Sequence, residues 1–183
     1  STAITSALLG AQIVGYEGVD KRIDVLATAI RAKMTAVELK DLDLAYAPPY
    51  SSAKDPVNMA GFMIDNIANG TLKQWHLADL ESLPMDGSVT LLDTRTVGEY
   101  RHGHIDGFLN IPVDDLRERL NELDRSKPIY VICQSGLRSY IASRILEGNG
   151  FAAYNFSGGF RFYDTVINDR ALVESSFTCG MDK

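Results

Sequence analysis

Apolar residues recur along this chain in two rhythms, and the rhythm changes near residue 70. In the first stretch, LLGAQIV at 8–14 reads as a strand. From 19 to 34, Ile23, Leu26, Ala27 and Ile30 fall at helical spacing. Thr35-Ala36-Val37-Glu38 is a capping box, which predicts a second, short helix. The Pro- and Ser-rich run AYAPPYSSAKDP at 45–56 predicts irregular backbone. At its end Asp55 is placed to cap a third helix, with Pro56 at the first helical position. That helix carries Met59, Phe62, Met63 and Ile67 on one side, and Gly70 is its natural stop.

After a linker at 69–73, strand and helix patterns alternate. Strands are expected at 89–92, 108–111, 129–132 and 153–156, and helices at 97–101, 114–123, 137–146 and 160–167. In the run DDLRERLNELDR, Leu116, Leu120 and Leu123 would share one face of a solvated helix supported by charge pairs. Strands interleaved with helices imply βαβ units, hence an α/β fold with a mostly parallel sheet covered on both faces. The division expected is residues 1–70 and 71–183. Residues 174–183 carry little pattern and are expected to be loosely held.

Composition narrows the function classes. The chain has 183 residues, 45% hydrophobic and 23% charged, with a net charge of −6. No basic stripe marks a nucleic-acid partner, and no apolar run approaches the roughly 20 residues of a membrane span. The opening STAITSALLG lacks the basic flank of a signal peptide. Two cysteines, Cys133 and Cys179, are too few for a secreted disulfide scaffold, so the expected setting is a reducing cytoplasm. His76, His102 and His104 do not form a ligand set with nearby cysteines or carboxylates, so no metal is expected.

The chemistry concentrates at VICQSGLRS, residues 131–139. A strand ends on Cys133, a small polar loop follows, and a helix starts. Free backbone N–H groups and the positive end of the helix dipole favour an anion at that place. Arg138 adds a fixed charge, and Gly136 lets the backbone curl so that amides turn inward. A buried structural cysteine does not need such a cradle. Four residues separate Cys133 from Arg138. A cysteine phosphatase loop has one more and is wide enough for phosphate. The tighter loop suits a sulfur carried on cysteine as a persulfide.

LLDTRTVGEYRHGHIDGFLNIP at 91–112, IYVICQSGLRSYIAS at 129–143 and FSGGF at 156–160 resemble the rhodanese family of sulfurtransferases, in matching order, from about Thr71 to Ile167. The resemblance implies a rhodanese-like fold in which Cys133 accepts a sulfane sulfur and passes it to a thiol or other nucleophile. It implies that Gln134, Ser135, Gly136, Leu137 and Arg138 form the loop that holds the substrate. Asp93, Arg95, Glu99 and His104 match polar positions of the family, as scaffold or support. Phe108 stands where the family more often has a small residue. Sulfane donors implied are thiosulfate, polysulfide or a low-molecular-weight persulfide. A non-catalytic binding or sulfur-carrier module is the alternative.

The stretches LLGAQIVGYEGVDKRIDVLATAIRAKMT and DLDLAYAPPYSSAKDPVNMAGFMIDN are similar to the C-terminal dimerisation region of flavin-dependent coenzyme A-disulfide reductases, some of which carry a fused rhodanese domain. That resemblance implies a partial α+β dimerisation segment and a homodimer. Tyr46 and Tyr50 would either approach the partner's redox cysteine or pack at the interface. No Gly-rich dinucleotide fingerprint follows a strand anywhere in the chain. The expectation is therefore the tail of such a reductase, with no cofactor of its own; FAD, NAD(P)H and coenzyme A are implied only for a full-length enzyme. Cys179 could resolve a persulfide on Cys133 or be an incidental thiol.

Overall fold

A computed structural model describes residues 7–49 and 51–177, with side chains to residue 172. Tyr50 and Cys179 lie outside the described residues. The chain divides into two compact units, with the boundary between Thr71 and Leu72.

In the first unit, helix α1 spans Val19–Arg31, entered through Gly18 in the left-handed region. It buries Leu26 and Ala29 against Leu39 and Val57. The expected strand at 8–14 does not form. Ala7 makes a single antiparallel bridge to Thr35, and the Leu8 N–H donates to the Met34 carbonyl at 3.2 Å. With no longer strand beside it, the segment leaves Leu9 and Val14 almost fully exposed. The capping box at Thr35 does form, with Glu38 Oε2 accepting from the Thr35 N–H at 2.6 Å and hydroxyl at 2.8 Å. It opens only a five-residue 3-10 turn, Val37–Asp41.

Helix α2, Pro56–Ala68, begins as its sequence dictates, with Asp55 accepting from the Val57 N–H and Asn58 completing the cap. Its buried side is Val57, Asn58 and Gly61, whereas Met59, Met63 and Ile67 face solvent. Close approach selects that side. A Cβ on Gly61 would sit 2.4 Å from the Lys40 nitrogen, and the Asn58 amide donates to the Leu39 and Leu42 carbonyls.

The second unit is a five-stranded sheet, all pairs parallel, in the order β1-β5-β4-β2-β3. The strands are β1 Gln74–Trp75, β2 Thr90–Asp93, β3 Leu109–Asn110, β4 Ile129–Ile132 and β5 Ala153–Phe156. Helices α3 Val97–His102, α4 Leu137–Gly148 and α5 Gly159–Phe177 follow β2, β4 and β5. The sheet is buried on both faces. Leu92, Ile129, Val131 and Ala153 pack on Ala142, Ile145 and Leu146 of α4. Leu91, Ile132 and Phe156 pack on the other face with Trp75, Phe108 and Phe160. The aromatic Phe108 is accommodated there, 97% buried and stacked on Trp75. β1, just after the expected linker, was not anticipated because two residues carry no periodicity.

The helix expected at 114–123 is absent. Residues 112–123 wind instead in i→i−3 turns, from Asp115 N–H on Pro112 to Leu123 N–H on Leu120, including a 3-10 turn at Leu120–Glu122. Val113 and Leu116 are three residues apart, the 3-10 repeat, and both join the α4-side core. Residues 174–177, expected to be loosely held, continue α5.

Candidate active site

β4 and β2 are neighbours, and their C-terminal ends lead into different helices, so the loops after them diverge above one edge of the sheet. Such a divergence is where parallel sheets commonly place their sites. Cys133 follows β4 directly and, by alternation, points to the α4 face. It is 1% exposed.

The sulfur does not sit in an apolar environment. The Gly136 N–H donates to Cys133 Sγ at 3.0 Å, and the Ser139 hydroxyl reaches it at 3.2 Å. The same hydroxyl lies 3.1 Å from the Gly136 carbonyl. It has one proton and serves one acceptor at a time. Gly136, at φ 108°, caps α4 in the left-handed region, and its own N–H is the loop amide that meets the sulfur. The N–H groups of Leu137, Arg138 and Ser139 have no acceptor within their own helix. Together these donors favour negative charge on the sulfur, or on a second sulfur bonded to it.

The start of α5 fixes the loop from behind. The Phe160 N–H donates to the Cys133 carbonyl at 2.7 Å and the Arg161 N–H to the Gln134 carbonyl at 3.1 Å. With those carbonyls held outward, the following amides face the other way. Gly159 is required at this contact: a Cβ there would lie 2.6 Å from the Gln134 carbon and the Ser135 nitrogen, at φ +70°. Gly159→Ala should destabilise the protein by about 3 kcal/mol and slow any reaction of Cys133. Gly98, in α3 with open space around it, gives the control. If Gly159→Ala and Gly98→Ala had the same urea midpoint, the loop would not depend on that contact.

Beneath the loop, Arg95 is 1% exposed and Asp93 fully buried. Arg95 Nη2 lies 2.7 Å from Asp93 Oδ2, and Nε bridges both carboxylate oxygens. Asp93 Oδ1 also accepts from the Arg95 N–H. The guanidinium stacks 3.8 Å from the centre of the Phe160 ring, donates to the Gly103 carbonyl, and reaches Gln134 Oε1 at 3.4 Å. Asp93 and Arg95 thus touch the loop through Gln134, away from the sulfur. Ser135 and Leu137 form its exposed rim.

Arg138 is aimed at Glu99. Its Nη1 and Nη2 lie 2.7 and 2.6 Å from the two Glu99 oxygens. Glu99 Oε2 also accepts from the Thr96 N–H and hydroxyl, so the residue that starts α3 holds the arginine of α4. The hydrogen bonds from Arg138, aided by those from Thr96 and opposed by burial, lower the Glu99 carboxyl from 4.5 to about 2. A depressed carboxylate stabilises the fold fully above its unfolded value and loses that contribution as pH falls toward its folded value. The stability of the wild type should therefore drop between pH 4.5 and about 2, and Glu99→Gln should show a shallower drop in urea titrations across that window. Equal slopes would remove Glu99 from the account.

Ser139 and Gly159 fall within the motifs IYVICQSGLRSYIAS and FSGGF, but the sequence assigned neither of them a role. Their partners supply it. His104 stacks on Tyr100 at 4.1 Å, and its Nδ1 lies 3.1 Å from the Tyr100 carbonyl. Tyr46 lies in the first unit, 51% exposed.

Comparison with known proteins gives a consistent picture. The model of the rhodanese-like domain family matches residues 76–164. The structure of reduced Bacillus anthracis CoADR-RHD superposes with a TM-score of 0.80 at 47% identity, covering 84% of this chain and 28% of that one. The NAD-dependent persulfide reductase of A. fulgidus superposes with a TM-score of 0.69 at 41% identity, covering 81% and 26%. A coenzyme A disulfide reductase of Staphylococcus aureus is 54% identical over 55 residues, which are 30% of this chain and 13% of that protein. The chain spans 28% or less of the length of each of these three.

Proposed function

Because residues 76–164 are a rhodanese-like domain, we propose that the chain is a sulfurtransferase working through a persulfide on Cys133. One observation carries the reading: the single cysteine of the domain ends a strand with an amide and a hydroxyl donating to its sulfur. The Cys133 thiolate attacks the outer sulfur of a sulfane donor. An S–S bond forms to Sγ, the donor's S–S bond breaks, and the remainder leaves with the electron pair as a thiolate or, from thiosulfate, as sulfite. An acceptor thiolate then takes the outer sulfur and Cys133 leaves as thiolate. The Gly136 amide and Ser139 hydroxyl stabilise it both as nucleophile and as leaving group.

The donor we propose is a low-molecular-weight persulfide, coenzyme A persulfide among them, or a polysulfide. The names of the coenzyme A disulfide and persulfide reductases it is similar to support this. The first unit is proposed as part of a dimerisation segment. Support comes from exposed Tyr46 and from Met59, Met63 and Ile67, an apolar stripe that α2 turns to solvent. FAD and NAD(P)H would serve only a longer reductase of which this chain is the C-terminal portion. A thiol kept reduced favours the cytoplasm.

Incubating the protein with each donor and weighing the peptide that holds Cys133 tests this reading. A gain of one sulfur atom is expected with at least one donor, followed by its loss to cyanide as thiocyanate. No gain with any donor would overturn it. The carrier reading gains from the 1% exposure of Cys133. A carrier would load sulfur but show no turnover with small thiols.

A further inference from the structure

Arg138 is the one cation of the sulfur loop, yet it does not present a free charge. Both of its terminal nitrogens are taken, at 2.7 and 2.6 Å, by Glu99. The pair is about two-thirds buried, with 30% and 33% of the side chains exposed. Glu99 is itself fixed, since the capping box of α3 holds the same carboxylate through Thr96. Arg138 stands in the chain between Gly136 and Ser139, the two residues that donate to Cys133 Sγ. The charge at the start of α4 is thus set by two residues from different helices, α3 and α4, which follow the neighbouring strands β2 and β4.

We infer that Glu99 is a specificity-determining residue: by occupying the fork of Arg138 it cancels the cation of the sulfur loop, and the site accepts sulfane sulfur whose reacting end is neutral or singly charged in preference to a compact dianion. The inference rests on the sulfurtransferase reading for its substrates, but not for its electrostatics. A dianion such as thiosulfate meets the net field of an ion pair instead of a free arginine. To use the arginine it must displace a bidentate carboxylate already held by two hydrogen bonds from Thr96. A thiol-bound persulfide, whatever charge its distant tail carries, presents at most one negative charge at its sulfur end and can rely on the loop donors alone.

The field can be read without any sulfur transfer. Cys133 attacks iodoacetate or iodoacetamide, forming an S–C bond and expelling iodide. The two reagents differ by one negative charge. The ratio of their rate constants, measured at Cys133 by mass at fixed pH and salt, reports the local potential. Glu99→Gln retains a side chain able to complete the capping box and frees the arginine charge. Its ratio should rise about fivefold over wild type, the effect of one charge several ångströms away in a partly screened site. Glu99→Asp keeps the charge and should stay within about twofold of wild type, and Arg138→Gln added to Glu99→Gln should reverse the gain. For thiosulfate, Glu99→Gln should lower KM by a similar factor with little change in kcat. A ratio that moves less than twofold, or that moves equally in the Asp and Gln variants, would overturn the inference. If no variant turns over thiosulfate or a persulfide while the alkylation ratio still rises, the sulfurtransferase reading fails and the electrostatic role of Glu99 stands.

Discussion

Cys133→Ser should abolish sulfur loading while leaving the fold intact. The substituted atom is smaller, stays in place at the end of β4, and can accept from the same Gly136 amide and Ser139 hydroxyl. The stability change should stay within about 1 kcal/mol, because no partner is orphaned and little volume is lost. The chemistry should not survive. A serine hydroxyl at neutral pH is a poor nucleophile without an adjacent base, and the groups around Cys133 are donors, so none can take its proton. Thiocyanate release should fall by about a thousandfold or more, and the peptide holding residue 133 should gain no sulfur. A serine variant with a tenth of the wild-type rate would mean that another group carries the sulfur. The thermal midpoint, measured on the same samples, separates loss of chemistry from loss of structure.

The largest effect on stability is expected at Arg95. Its guanidinium and the Asp93 carboxylate are both essentially inaccessible to water. Their three contacts, at 2.7 to 3.1 Å, together with the Phe160 ring and the Gly103 carbonyl, satisfy the whole arrangement. Arg95→Met fills similar volume but leaves a carboxylate buried without its counter-charge. Breaking one side of such a pair costs about 3–5 kcal/mol, a large part of the 5–15 kcal/mol that holds a typical domain. Adding Asp93→Asn removes the stranded charge and keeps an oxygen for the Arg95 backbone N–H, so the double variant should recover part of the loss. The urea midpoints of the two variants decide the point. If Arg95→Met cost under about 1 kcal/mol, the pair would not be supporting the loop.

Much of this was legible in the residues. β4 and α4 were readable because an apolar run meets a small polar loop and then a helical spacing. α2 was readable at both ends, because Asp55-Pro56 and Gly70 act through local backbone geometry that needs no distant partner. The capping box at Thr35 was also legible, but it dictates only the first hydrogen bonds. Whether a full helix follows depends on packing, and here a 3-10 turn lies under Gly61. The run at 114–123 misled for a related reason. Its leucines suit a helix face, yet they reach the core through turns of three residues, and periodicity does not separate those two windings over so short a span. The strand expected at 8–14 failed because a strand requires a neighbour, which no local pattern supplies.

By itself, then, the sequence determined the alternation of strands and helices, the place of Cys133 at a strand end, and the glycine that lets the loop curl. Each of these follows from local backbone preference and short-range spacing. Tertiary structure decided what touches the loop. Glu99 reaches Arg138 across 39 residues, and Phe160 and Arg161 at the start of α5 grip the carbonyls of Cys133 and Gln134 from the far side of α4 and β5 in the chain. Those meetings depend on strand order, which sets β2 and β5 on either side of β4. Strand order is chosen by the burial of both faces of the sheet at once. That is a property of the whole core, and no single stretch of the chain encodes it.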